Sequence, residues 1–260
     1  MRLVVKIGTS TLAHATGRLN IRRVEELCRV LSDLKNCGHE VILVSSGAIG
    51  MGVGKLGLKE RPSDIPTKQA AAAVGQCELM YTYDRLFEEY HHTVAQILLT
   101  GSDLRHEDRY HNFQNTMRRL LELDVLPVIN ENDTIATDEI KVGDNDTLSA
   151  MVAVSVRADR LILLSDIDGL FTKDPHKDPT AELIPEVHEI TPEMTALAGG
   201  EGSSLGTGGM RTKLQAAEIC MSAGCEMVIL NGANPMLLYQ LFDGVPTGTR
   251  FVPVKGRDKK

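Results

Sequence analysis

Tryptophan is missing from this chain and aromatic residues make up only 4% of it, a scarcity that says nothing about function. More informative is the lack of any apolar run of about 18 residues or longer, which argues against a membrane-spanning helix. The N-terminus, MRLVVKIGTS, turns polar too soon for a secretory signal and reads as a first strand. A basic excess is also lacking: 28 Lys+Arg against 35 Asp+Glu leave a net charge of −7, which argues against a nucleic-acid surface. The cysteines (Cys28, Cys37, Cys77, Cys220, Cys225) are odd in number and show no metal-ligand spacing. Most fall in apolar patterns, so they read as buried thiols of a reducing cytoplasm. No low-complexity linker or internal repeat interrupts the chain.

What is present is an ordinary globular composition, 42% hydrophobic and 24% charged over 260 residues, enough for one large domain or two small ones. Short apolar runs alternate with helical patterns. Strands are predicted over Arg2–Ile7, Glu40–Ser45, Thr93–Leu99, Val125–Ile129, Arg160–Leu164 and Glu226–Leu230. Helices are predicted over Ile21–Asn36, from near Lys68 to about Tyr90, and over Arg109–Leu123, Asp146–Val156 and Gly208–Ala223. Pro62 and Pro66 mark a loop before the second of these. This order implies an α/β fold, a mostly parallel sheet with helices on both faces. Five strands end alike, switching abruptly to small or polar residues: Lys6-Ile7-Gly8, Ser45-Ser46-Gly47, Asn130-Glu131-Asn132, Ser165-Asp166 and Asn231-Gly232. In a parallel sheet such ends share one edge, where ligands bind.

The densest of these endings is Val125–Ser149, VLPVINENDTIATDEIKVGDNDTLS. A strand runs into Asn130, Glu131, Asn132 and Asp133, a β-rich excursion follows over Thr134–Val142, and Gly143-Asp144-Asn145-Asp146 opens a helix. So many charges must face solvent, a ligand or one another, because burial without partners is costly. An N-cap at Asp144 explains part of this. It does not explain an acid-rich segment at the carboxyl end of a buried strand.

Gly206-Thr207-Gly208-Gly209-Met210-Arg211-Thr212-Lys213 leads into a helix, a pattern suited to an anion held by backbone N–H groups and a lysine. The spacing is not that of a P-loop. Gly52–Gly57 matches G-x-G-x-x-G but does not sit between a strand and the helix it opens, so it reads as a chance match. Lys6 is a charge inside an apolar run. It either snorkels out at the strand end or faces the same crevice as Lys213, where two lysines would clamp a phosphoryl group in flight. Asp144 or Asp146 could hold both ammonium groups. The histidines are scattered, and no Ser-His-Asp arrangement follows from their spacing.

The segments VVKIGTS, VILVSSGAIGMG, KQAAAAVGQ, PVINENDTIATDEIKVGDNDTLSA, LILLSDIDGLFTKDP and GTGGMRTKLQAA together resemble the amino acid kinase family. The resemblance is to the branch that phosphorylates the γ-carboxylate of L-glutamate with ATP and Mg2+, the first step of proline biosynthesis. It covers nearly the whole chain in order, and the combination of NEND, KVGDND and GTGGMRTK is far more specific than any one piece. It implies a three-layer α/β/α sandwich around a mainly parallel sheet. It also implies a single kinase domain over 1–260, with glutamate bound mainly by the N-terminal part and ATP by the C-terminal part. The RNA-associated PUA domain that many relatives carry at the C-terminus is expected to be lacking.

By the same resemblance, Lys6 and Lys213 are the catalytic lysines and Asp146 orients them. Ser46, Gly47, Asn130, Asp133 and Asn145 hold glutamate. Lys6, Ser165, Asp166, Thr207, Gly208, Gly209, Met210, Arg211, Thr212 and Lys213 form the ATP site; no protein ligand to a metal is assigned. Free proline is expected to inhibit, and a homo-oligomer is expected, with the Lys68 and Arg109–Leu123 helices contributing. Three other readings compete: a related kinase of another carboxylate or phosphate, an inactive ligand-binding regulator of the same fold, and a dinucleotide enzyme. Asp133 speaks against an acetylated substrate, since a free α-ammonium wants a carboxylate. The pairing of Lys6 and Lys213 with Asp146 speaks against lost catalysis.

Overall fold

A computed structural model describes residues 1–14, 18–136, 145–175, 177–197 and 209–253. An eight-stranded sheet runs through it in the order β3-β4-β2-β1-β5-β7-β8-β6. These strands are β1 (Arg2–Ile7), β2 (Glu40–Val44), β3 (Val94–Leu99), β4 (Leu126–Glu131), β5 (Arg160–Ser165), β6 (Glu186–Val187), β7 (Glu226–Asn231) and β8 (Thr249–Phe251). All pairings are parallel except β7 with β8. The helices are α1 (Thr9–Leu12), α2 (Ile21–Asn36), α3 (Ala48–Leu56), α4 (Ile65–Glu88), α5 (Glu107–Glu122), α6 (Asn145–Ser155), α7 (Pro192–Leu197), α8 (Met210–Ser222) and α9 (Leu237–Phe242). No described helix is long and apolar enough to cross a membrane.

Strand alternation sends side chains to opposite faces, and each face closes its own core. Val4, Ile42, Val44, Ile129, Leu161 and Leu163 pack on one side with Phe113 and Met117 of α5, Leu148 and Val152 of α6, and Leu214 and Ala217 of α8. Val5, Ile7, Leu43, Val128, Ile162 and Leu164 pack on the other with α2, α4 and α9. The three layers follow directly. Each fully buried Val, Leu or Ile contributes about 1.5–3 kcal/mol, and the central strands are lined with them.

The chain leaves β1 toward β2 on one side and returns to β5 on the other, so the connections part between these neighbouring strands. That reversal opens a crevice at their carboxyl ends. The strands whose endings resemble one another, β4, β2, β1, β5 and β7, are consecutive in the sheet, and their ends lie along one edge.

Two expectations need correction, and one helix was not predicted. The long helix begins at Ile65, not near Lys68: the Asp64 carboxylate accepts from Thr67 N–H at 2.8 Å, and Pro66 lies in the first turn rather than in the loop. The unpredicted helix is the glycine-rich Ala48–Leu56 segment. Its glycines allow close packing, since a Cβ on Gly52 would stand 1.8 Å from the Ala71 carbonyl and one on Gly75 1.8 Å from that of Ala48. Lastly, Cys28, Cys220 and Cys225 are buried, but Cys37 and Cys77 are exposed. Most of the β-rich excursion predicted over Thr134–Val142 falls outside the described residues; Thr134 and Ile135 form a turn.

Candidate active site

Alternation decides where Lys6 points. It shares the parity of Val4, so it leaves β1 on the face covered by α6 and α8. There its Nζ lies 2.6 Å from Asp146 Oδ1, while Lys213 Nζ from α8 lies 3.0 Å from Asp146 Oδ2. Thr212 Oγ1 adds a bond to the same Oδ2 at 3.3 Å. Asp146 is fully buried, Lys6 is 8% exposed and Lys213 5%. Burial alone would raise the Asp146 carboxyl pKa. The charges and hydrogen bonds of Lys6 and Lys213 outweigh it and hold the group far below the usual carboxylate range. Of the two ways to seat Lys6, the structure selects the crevice, and of the two aspartates Asp146 meets both lysines; Asp144 lies outside the described residues.

This trio carries a net charge of +1 in a largely desolvated place. Such a cluster favours an anion in the crevice beside it.

On the other side of Asp146 in the chain, Asn145 anchors a neutral cluster. Its Nδ2 donates to the Ser45 carbonyl at 2.7 Å, to Ser46 Oγ at 3.1 Å and to Asn130 Oδ1 at 3.1 Å. Asn130, 1% exposed at the end of β4, donates in turn to Gln76 Oε1 at 2.8 Å. Ser45 Oγ meets the Tyr83 hydroxyl at 2.9 Å. Gly47 caps α3 with φ +90, a left-handed conformation that glycine adopts without strain. Asp133, partly buried, lies in the turn that leaves β4.

Across β1 from this cluster, Ser165 Oγ donates to Asp166 Oδ1 at 3.1 Å at the end of β5. Gly209 caps α8, with Met210, Arg211, Thr212 and Lys213 in its first turn. Gly206, Thr207 and Gly208 lie outside the described residues, as do Asp138, Glu139 and Lys141. The structure therefore brings together Lys6, Asp146 and Lys213, and separately Ser46, Asn130 and Asn145. Sequence reading missed Gln76, Tyr83 and Gln96, and named Ser45 only as part of a strand ending. One signal existed: Ala72, Gln76, Leu79 and Tyr83 recur at helical spacing on the buried face of α4, and Gln76 is the polar member of that stripe.

The fold and the site define a three-layer α/β protein with a cationic crevice at its switch point. The chain belongs to the amino acid kinase family, whose model matches residues 1–231. It is 52% identical to the glutamate 5-kinase of Clostridium perfringens over 259 residues, 98% of this chain and 96% of that one. It is 54% identical to the glutamate 5-kinase of Clostridium tetani over 253 residues, 97% of this chain and 95% of that one. Among solved structures, carbamate kinase from Giardia lamblia superposes with a TM-score of 0.67 at 16% identity, covering 97% of this chain and 98% of that one. At that identity the likeness concerns the fold.

Proposed function

We propose that the chain transfers the γ-phosphoryl group of ATP to the γ-carboxylate of L-glutamate, as the first step toward proline. The observation that carries this is the meeting of Lys6 and Lys213 on Asp146, in a chain more than half identical to named glutamate 5-kinases. A glutamate γ-carboxylate oxygen attacks the γ-phosphorus, the bond to the β–γ bridging oxygen breaks, and ADP leaves with that electron pair. The nucleophile is already deprotonated near neutral pH, so the step calls for positioning and charge stabilisation rather than a general base. Lys6 and Lys213 supply positive charge to the phosphoryl oxygens from opposite sides. Asp146 keeps the two ammonium groups apart and aimed.

The crevice divides the labour. Ser46, Gly47, Asn130, Asp133 and Asn145, on the β2–β4 side, hold glutamate, with Asp133 facing its α-ammonium. Ser165, Asp166 and the start of α8, on the β5–β7 side, receive the nucleotide, and the chain works as one kinase domain. Among the described residues no cluster of His, Cys, Asp or Glu suits a metal ion. Mg2+ enters with the substrate, carried in on the ATP phosphates. The family resemblance adds inhibition by free proline and a homo-oligomer.

A coupled assay of ADP release over a panel of L-glutamate, N-acetyl-L-glutamate, L-aspartate and carbamate tests this reading. L-Glutamate is expected to be the preferred acceptor. Better turnover of N-acetyl-L-glutamate would overturn it.

A further inference from the structure

Gln76 is a buried polar group that the phosphoryl chemistry does not use. It sits on α4 at 9% exposure among apolar neighbours, and a buried amide in that setting calls for an explanation. Its Nε2 donates to Gln96 Oε1 on β3 at 3.0 Å, and its Oε1 accepts from Asn130 Nδ2 at 2.8 Å. With that nitrogen engaged, Asn130 turns its Oδ1 the other way, where it accepts from Glu131 N–H at 2.9 Å and Asn145 Nδ2 at 3.1 Å. The donor-to-acceptor sense thus runs from Asn145 through Asn130 and Gln76 to Gln96. Two of the three groups that Asn145 meets on this side can only accept, the Ser45 carbonyl and, with the Asn130 amide nitrogen engaged by Gln76, Asn130 Oδ1; the Ser46 hydroxyl accepts as well. Its nitrogen is drawn to them, and its Oδ1 accepts no bond among the described residues. Gly75 permits the arrangement, because only a residue without Cβ lets α4 close on the Ala48 carbonyl and bring Gln76 to the end of β4.

An α-ammonium brings three donors and no acceptor. A carbonyl oxygen attracts it, whereas the same amide flipped would present N–H groups and repel it. We propose that Gln76 is a positioning residue for recognition of the substrate's α-ammonium group, holding Asn130 in the orientation that keeps the Asn145 side-chain carbonyl turned to the ligand. The inference rests on L-glutamate being the acceptor.

Gln76→Leu removes the acceptor at similar size. Gln76→Glu keeps it, and the exposed Gln96 can rotate its amide to donate. Steady-state kinetics on wild type and both variants, with L-glutamate and with glutarate (which lacks the α-ammonium), provide the test. The Leu variant should raise the KM for L-glutamate about three- to tenfold, the scale of one lost hydrogen bond, with kcat and the KM for ATP within about twofold of wild type. The Glu variant should restore the glutamate KM, and kcat/KM for glutarate should be the same in all three. An unmoved glutamate KM in a folded Leu variant, an equal loss in the Glu variant, or an equal loss on glutarate would overturn the inference. Gln76→Met replaces the Leu variant if melting curves show that it does not fold. A wild type inactive on L-glutamate overturns the substrate reading and this inference with it; an active wild type beside an unmoved Leu variant overturns the inference alone.

Discussion

Asn145 and Asp146 are neighbours in the chain, yet they anchor opposite kinds of polar cluster on opposite faces of the sheet. Asp146, on α6, gathers Lys6 from β1 and Lys213 from α8 on the face that those helices cover. Asn145 reaches Asn130, whose parity with Val128 places it on the α4 side. The first cluster keeps positive charge in a dry place at considerable cost in desolvation. The second is neutral and costs little once its bonds are made, and what it secures is orientation. Charge suits a group whose charge distribution changes during reaction; fixed neutral dipoles suit a group that must only be recognised. In the proposed reaction, that separates turnover from binding.

The widest separation should come from Lys6→Ala. Removing a charge that acts on the transferring phosphoryl group should lower kcat by about 10²–10³, with the fold intact by circular dichroism and ATP binding retained. Near-normal turnover would take Lys6 out of the mechanism.

Asp146→Asn should cut turnover comparably, because the lysines keep their charge but lose their anchor. Breaking a buried ion pair should also cost about 3–5 kcal/mol of stability at neutral pH, read from urea unfolding. The pH dependence has a definite sign. A carboxylate whose folded pKa is depressed contributes stability above its unfolded value, about 3.9, and loses that contribution as pH falls toward its folded value. The unfolding midpoints of wild type and variant should therefore converge below about pH 4. A gap that stays constant there would mean the carboxylate is not ionised in the native state.

On the binding side, Asp133→Asn should raise the KM for L-glutamate about ten- to a hundredfold, as expected for a charged hydrogen bond of about 1.5–3 kcal/mol. The KM for ATP should change little, since Asp133 lies across the crevice from α8. Discrimination against N-acetyl-L-glutamate should weaken in the same variant. An unchanged glutamate KM would place the ammonium elsewhere. The mildest test is mechanical: Gly75→Ala sets a Cβ against the Ala48 carbonyl and should cost about 1–3 kcal/mol by overpacking. Unaltered melting would show that α3 and α4 can separate freely.

The central strands and long helices were legible because buried runs such as RLILL and the α2 stripe of Val24, Leu27, Leu31 and Leu34 carry strong periodic signals. Strand ends were legible within a residue or so, and β4 continues one turn of the pleat further, through Asn130 to Glu131, because polar side chains can end a strand inside the protein when partners wait there. The short elements α1, α7, α9, β6 and β8 were not found, being too brief for a period to show. The helix α3 was hidden by its glycines, whose tertiary packing overrides their poor intrinsic propensity. The ion trio was half legible: Lys6 stood out as a charge in an apolar strand, but only strand parity and the position of α8 decided where it points. Gln76, although it closes the segment KQAAAAVGQ, and Gln96 were not assigned to the site, because their partners lie far away in the chain and no local spacing marks the pairing.

The division between charge and recognition is tested most directly by trapping the product. An acyl phosphate reacts with hydroxylamine to give a stable hydroxamate, so γ-glutamyl hydroxamate formed from L-glutamate and ATP can be followed across glutamate concentrations for wild type, Lys6→Ala and Asn145→Ala. Lys6→Ala is expected to lower the saturating rate by about a hundredfold or more at a little-changed glutamate KM, while Asn145→Ala raises that KM and leaves the saturating rate within a few-fold of wild type. A Lys6→Ala enzyme that reaches the wild-type rate at high glutamate, or an Asn145→Ala enzyme slowed at saturation with its KM unmoved, would contradict the division.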